Sequence, residues 1–168
     1  MIKRLCIQIS LLVAISASSQ TLTKFDLNER GIAKCNAGDY KGAMVDFNNA
    51  LRIDSTFADA YNNRGNAKYA LGDYRGALSD ANKAIKYDGS VDKYYFNRGN
   101  AKYKLSDLAG AVKDYDYAIK LNQNNASVYA NRGNVKFKLG DKDGACLDWS
   151  KAGEMGIDCY DNIRKYCK

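Results

Sequence analysis

The 168-residue sequence contains no histidine and no proline, a single tryptophan and five cysteines. Without histidine, imidazole general-base catalysis, a serine triad on the usual plan and histidine-ligated metal sites are excluded. No Cys-x-x-Cys pair occurs either, which argues against a thiol–disulfide enzyme. Acids are outnumbered, with 19 Asp and Glu against 26 Lys and Arg, for a formal net charge of +7. That excess is spread along the chain and lacks the concentrated footprint of a nucleic-acid binder. What is present, 46% hydrophobic and 27% charged residues with 13 tyrosines, is the composition of a folded globular chain.

Residues 1–19 have the three parts of a secretory signal peptide. Lys3 and Arg4 form the basic start, Leu5 to Ile15 an apolar run too short to span a bilayer comfortably, and Ala17 and Ser19 the small-x-small cleavage signal. The mature chain is expected to begin near Gln20, with Ser18 as the alternative last residue removed, and to be exported to the periplasm or the extracellular space. A retained anchor helix is the alternative, since Cys6 and Gln8 make the run only moderately apolar. Cleavage removes Lys3, Arg4 and no acid, so the mature chain stays mildly basic and has no stable membrane span.

Beyond the leader the sequence repeats itself. Arg30-Gly31, Arg64-Gly65, Arg98-Gly99 and Arg132-Gly133 recur every 34 residues. In step with them run Ala43, Ala77, Ala111 and Ala145, each preceded by Gly, and Asp46, Asp80, Asp114 and Asp148 three residues later. Three phased series over four copies define blocks at 24–57, 58–91, 92–125 and 126–159. Within the second block, Tyr61, Arg64, Gly65, Lys68 and Tyr69 lie on one helical face. Gly72 is placed to end that helix in the left-handed conformation, and Asp73 to cap the next, with Asp39, Asp107 and Asp141 as its equivalents. Alanines on each second helix allow close helix approach, while Phe47, Tyr115 and Trp149 fill space between blocks. A single hairpin of this kind cannot bury its own apolar face, so the blocks must stack into an all-α solenoid of four hairpins.

This pattern resembles the tetratricopeptide repeat (TPR) family, 34-residue helix-turn-helix units that stack into a right-handed superhelix. The resemblance rests on Leu27, Tyr61, Tyr95 and Tyr129 at the fourth position of the blocks, Gly31, Gly65, Gly99 and Gly133 at the eighth, and the alanines at the twentieth and twenty-seventh. Two departures stand out. The proline common near the thirty-second position is absent, so the turns between blocks must rest on Asn, Asp, Ser and Gly. The seventh position is arginine, and the pairs Arg30–Asp46, Arg64–Asp80, Arg98–Asp114 and Arg132–Asp148 are expected inside the hairpins, orienting the two helices.

The resemblance implies a concave groove lined by first helices. Its residues would be Asn63, Asn97 and Asn131, then Asn66, Asn100 and Asn134, flanked by Tyr69, Tyr103 and Phe137. Such amides pair with the main chain of an extended peptide without reading its side chains, or else hydrogen-bond only between helices. Glu29 and Ile32 break the ladder in the first block, which serves either as a differing groove end or as a cap. The family's clamp for a C-terminal carboxylate needs lysines of which only Lys93 is present, and it is excluded. Lys34, Lys68, Lys102 and Lys136 also repeat every 34 residues, either as a basic stripe or as solvated side chains whose stems cover apolar surface.

The last segment, 158–168, reads as a short capping helix. Cys159 and Cys167 stand about 12 Å apart along such a helix, too far to pair. Cys146 is the expected partner of Cys167, stapling the cap to the last repeat for about 3 kcal/mol. The resemblance agrees, since exported bacterial repeat proteins of this kind often carry an Ala-Cys-x-Asp-Trp segment, here Ala145 to Trp149, and a terminal Tyr-Cys, here Tyr166-Cys167. Cys35 is expected to be unpaired.

The function expected from all this is a non-enzymatic, exported interaction module that needs no cofactor and no metal and holds a protein or peptide segment in its groove as an adaptor or scaffold. Alternatives are self-association, an RNA-binding helical repeat, disfavoured by the strict period, and an enzyme built on carboxylates alone, disfavoured because the repeated acids serve as caps and arginine partners.

Overall fold

A computed structural model describes residues 22–167 of the chain. The expected signal segment, residues 1–19, lies outside them. Four helical hairpins follow one another: α1 (Lys24–Asn36) with α2 (Tyr40–Ile53), α3 (Ala58–Ala70) with α4 (Tyr74–Tyr87), α5 (Asp92–Lys104) with α6 (Leu108–Leu121), and α7 (Ala126–Lys138) with α8 (Lys142–Glu154). A short α9 (Tyr160–Tyr166) closes the end. No strand occurs among the described residues, and no helix there is long and apolar enough to cross a membrane.

Local chemistry sets these boundaries. Each hairpin turn places one residue in the left-handed region, Gly38, Gly72 and Gly140 at φ of 81°, 82° and 89°, but Ser106 in the third hairpin at 66°. The aspartate that follows caps the second helix, its carboxylate accepting the N–H of Gly42, Gly76, Gly110 or Gly144 at 2.8–2.9 Å. A Cβ on Gly76 would stand 2.0 Å from the Asp73 carboxylate, which is why glycine precedes each alanine of the series. Between hairpins the missing proline is replaced by Asx turns, in which Asp54, Asp88 and Asn122 accept the backbone N–H of Thr56, Ser90 and Asn124.

Second-helix aromatics fill the hairpins. Phe47, Tyr115 and Trp149 are almost wholly buried and lie across the first-helix glycine, so that a Cβ on Gly99 would come within 2.6 Å of the Tyr115 ring. Tyr115 also packs with Val128 and Val135 of the next hairpin, coupling the two cores. Each such ring contributes roughly 2–3 kcal/mol by burial. The second hairpin has Ala81 at this position, and Gly65 there faces Asp80 and Ala77 instead of an aromatic ring.

The arginines reach the acids from their own hairpin. Arg30, Arg64, Arg98 and Arg132 each donate Nε and Nη2 to the two carboxylate oxygens of Asp46, Asp80, Asp114 and Asp148, at 2.5–3.0 Å. The acids are no more than 3% exposed. Two features lie outside the sequence reading. The repeating lysines Lys34, Lys68, Lys102 and Lys136 form neither a basic stripe nor solvated tails. Their ammonium groups bind the same four carboxylates at 2.7–3.0 Å, because residues four apart on a helix share a face. In addition, the remaining Nη1 of Arg64, Arg98 and Arg132 crosses to the preceding repeat and donates to Asn48, Asn82 and Asp116. No repeat precedes Arg30 among the described residues, and its side chain is 47% exposed against 16% for Arg64.

The last hairpin is covered by α9, which is tied to α8 by a disulfide between Cys146 and Cys167 with their Cα atoms 5.6 Å apart. Cys35 and the buried Cys159 are not disulfide-bonded. Ile163 and Cys167 join the Trp149 cluster, and Tyr166 lies 4.4 Å from the ring of Phe137. First helices pack against one another directly, α1 on α3, α3 on α5 and α5 on α7, whereas consecutive second helices do not meet. The solenoid is therefore concave on the first-helix side and convex on the other.

Candidate functional site

The amides at the sixth block position pair between repeats. Asn63 donates to Asn28 at 3.0 Å, Asn97 to Asn62 at 2.7 Å, and Asn131 to Asn100 at 2.9 Å. Asn28 and Asn62 are buried, so these bonds satisfy polar groups that would otherwise cost stability. Asn63 also accepts from Asn62, so both its amide nitrogen and its amide oxygen are engaged within the protein. This part of the ladder is structural.

At the ninth position the amides face second-helix aromatics. Asn100 accepts from Tyr115 at 2.8 Å and Asn134 from Trp149 Nε1 at 3.0 Å. Asn66 is exposed. The Nδ2 groups of Asn100 and Asn134 and the carbonyl of Asn131 point to no partner among the described residues.

These groups converge on one concave cavity of about 170 Å³, lined by Tyr69, Asn100, Tyr103, Lys104, Tyr115, Asn131, Asn134 and Val135. It spans three successive repeats, α3, α5 and α7, with the floor supplied by α6. A volume of this order suits one side chain or a short backbone stretch, since small-molecule sites run to roughly 300–1,000 Å³. Burial pushes the Tyr115 phenol well up, and the same cause, aided by Tyr74 and Tyr103, raises Tyr69. Both stay neutral hydroxyls through the physiological range. Lys104 stands at the rim, exposed, and Lys138 lies with its ammonium 4.7 Å from the Tyr103 ring.

Of the nine residues read as groove-lining, Tyr69, Asn100, Tyr103, Asn131 and Asn134 come together here. Asn63 and Asn97 are engaged between helices, Asn66 lies apart, and Phe137 is taken up by the cap, 5.6 Å from Trp149 and 4.4 Å from Tyr166. Lys104, Tyr115 and Val135 were missed. Lys104 and Lys138 share the thirteenth block position, a groove position by resemblance, so the signal for Lys104 was already in the spacing.

A stack of helical hairpins joined at a 34-residue interval, with a groove on the first-helix side, defines a helical-repeat solenoid. Family models described as TPR repeat, over residues 31–72 and 99–140, and as tetratricopeptide repeat, over 58–90, match the chain. It belongs to the tetratricopeptide repeat family. Solved structures agree. The chain is similar to the first TPR of Spaghetti (RPAP3) bound to the HSP90 peptide SRMEEVD, with 27% identity, TM-score 0.69, and coverage of 70% of this chain and 94% of that one. It is also similar to YrrB, described as a TPR protein with an unusual peptide-binding site, at 20% identity, TM-score 0.70 and coverage of 79% and 69%. MamA from Desulfovibrio magneticus RS-1 gives 20% identity, TM-score 0.72 and coverage of 79% and 75%. No curated protein matches the chain in sequence.

Proposed function

We propose that this protein is a non-enzymatic interaction module that holds an extended peptide or protein segment in its concave groove and acts, after export, as an adaptor or scaffold. The observation that carries this reading is the three-repeat cavity, where the Asn100 and Asn134 amide donors and the Asn131 carbonyl, without partners among the described residues, surround tyrosine faces. Main-chain groups of an extended peptide are complementary to such a set, and aromatic walls add contact area at little entropic cost. The peptide held by the Spaghetti (RPAP3) relative supports a ligand of this chemical kind. Export rests on the leader-like residues 1–19 and is tested by locating the processed chain after cell fractionation.

Random-peptide display on the immobilised protein tests the groove. Sequences enriched on the native chain should be lost on a Tyr103→Ala/Lys104→Ala variant, which alters the rim without touching an inter-repeat hydrogen bond. Peptides held equally by both proteins would place binding elsewhere. A second reading, self-association, is favoured by Leu22, Phe25 and Ile53, which are 47%, 60% and 57% exposed at the first repeat. Concentration-dependent elution in gel filtration, abolished by Phe25→Lys, would support it.

A further inference from the structure

The second helices show a segregation of charge that the groove does not use. Residues eighteen, twenty-two, twenty-six and twenty-nine of each block form one helical stripe and are outward-facing. On α2 this stripe carries Lys41 and Arg52, on α4 Arg75, Lys83 and Lys86, and on α6 Lys113 and Lys120, all exposed. None of these seven makes an ion pair among the described residues. Within α2 and α4 the acids are Asp46 and Asp80, buried and neutralised from the first helices, while Asp39, Asp54, Asp73 and Asp88 at the helix ends accept backbone N–H groups. On α6, Asp114 is likewise buried and Asp116 is held by Arg132 at 2.6 Å. The stripe ends at α8, where Asp143 and Glu154 replace the cations and Lys151 pairs with Glu154.

We infer that the convex face of the first three repeats is a second binding surface, for a flexible acidic polypeptide segment. Its shape and chemistry select this partner. First helices approach one another closely while consecutive second helices do not, so the second-helix side is convex and a flat bilayer cannot follow it as a chain can. A flexible chain follows the curve. Single-stranded nucleic acid stacks on open aromatic faces, but here one face of Tyr87 is taken by Tyr61 at 5.7 Å and one face of Tyr117 by Tyr95 at 4.5 Å. Lysine ammonium groups crowd the same rings, Lys83 at Tyr61, Lys86 at Tyr87 and Lys120 at Tyr117, all within 6 Å. Five of the seven cations are lysines, compact point charges on flexible stems that can meet carboxylates scattered along a mobile chain without demanding one fixed geometry.

Binding of a fluorescent poly-glutamate of about fifty residues to the full chain tests the inference by anisotropy. At low salt it should bind, with affinity falling steeply as salt rises. Lys41→Glu/Lys113→Glu should weaken it tenfold or more while leaving Tm unchanged, since both side chains are exposed and neither holds a ring or an acid among the described residues. Lys104→Glu/Lys138→Glu, the same charge change in the groove, should alter it less than twofold. Absence of binding at low salt, equal loss in the groove variant, or tighter capture of an oligonucleotide or of anionic vesicles through the same lysines would each overturn the assignment.

Discussion

Replacing Arg98 by Met removes a side chain that performs two jobs. Its Nε and Nη2 hold Asp114 at 2.9 and 2.6 Å, and its Nη1 holds Asn82 of the preceding repeat at 3.0 Å. Asp114 is 3% exposed, so the variant leaves a buried carboxylate with Lys102, at 2.8 Å, as its remaining partner. Breaking a buried pair costs about 3–5 kcal/mol. The retained lysine puts this case in the lower half of that range, and loss of the Asn82 contact adds about 1 kcal/mol. The expected total is about 4 kcal/mol, or roughly 10 °C in Tm for a chain of this size. Adding Asp114→Leu removes the stranded charge and frees Lys102 to reach solvent along its flexible stem. The double variant should recover more than half of the loss. Urea unfolding followed by helical circular dichroism and Trp149 fluorescence measures both. Arg30→Met should cost clearly less than Arg98→Met, since among the described residues Arg30 holds Asp46 but no preceding repeat. The reasoning fails if the single Arg98 variant is no less stable than the double, or if Arg30→Met is as damaging.

Ser106→Gly should stabilise the protein by about 0.5–1 kcal/mol, because Ser106 alone among the four equivalent turn residues holds φ of 66° with a Cβ; a lower urea midpoint would contradict this. Gly99→Ala should cost about 1–3 kcal/mol, since its Cβ meets the Tyr115 ring at 2.6 Å, whereas Gly65→Ala, whose nearest neighbour is Asp80 Cβ at 3.3 Å, should stay within about 0.5 kcal/mol of neutral, and equal effects on Tm would refute the role given to Ala81. Lys24, with help from Thr56, holds Asp54 at about 2, below its ordinary 3.8, so its stabilising effect is complete above about pH 4 and is lost as pH falls through 2. Asp54→Asn should therefore flatten the decline of Tm between about pH 5 and pH 2, and parallel declines would refute the linkage. Reducing the Cys146–Cys167 disulfide, which closes a separation of 21 residues, should cost about 3 kcal/mol and raise hydrogen exchange first in α9 and α8; uniform exchange along the chain would argue against a local staple.

Much of the fold is a consequence of periodicity. Arg-Gly, Gly-Ala and Asp recurring at one interval make four equivalent hairpins, because each residue's environment repeats with its number and no single hairpin buries its apolar face alone. The turn glycines, the capping aspartates and the proline-free connections are likewise local, decided by residues within five positions of one another. The groove was only half legible. Periodicity identifies equivalent positions but not what each neighbour repeat presents to them, and so the same asparagine series divides into amides consumed between helices and amides left open to a ligand. The cavity centres on α3, α5 and α7 because first helices touch on that side, a matter of how the hairpins tilt. The lysine series Lys34, Lys68, Lys102 and Lys136 makes the same point. Its spacing from each arginine already placed both cations on one helical face, but that they converge on a single carboxylate depends on the distance across the hairpin. That convergence neutralises the buried second-helix acids inside the protein and leaves the exposed lysines and arginines of α2, α4 and α6 without them, a property carried by the packed hairpins and absent from any one stretch of sequence.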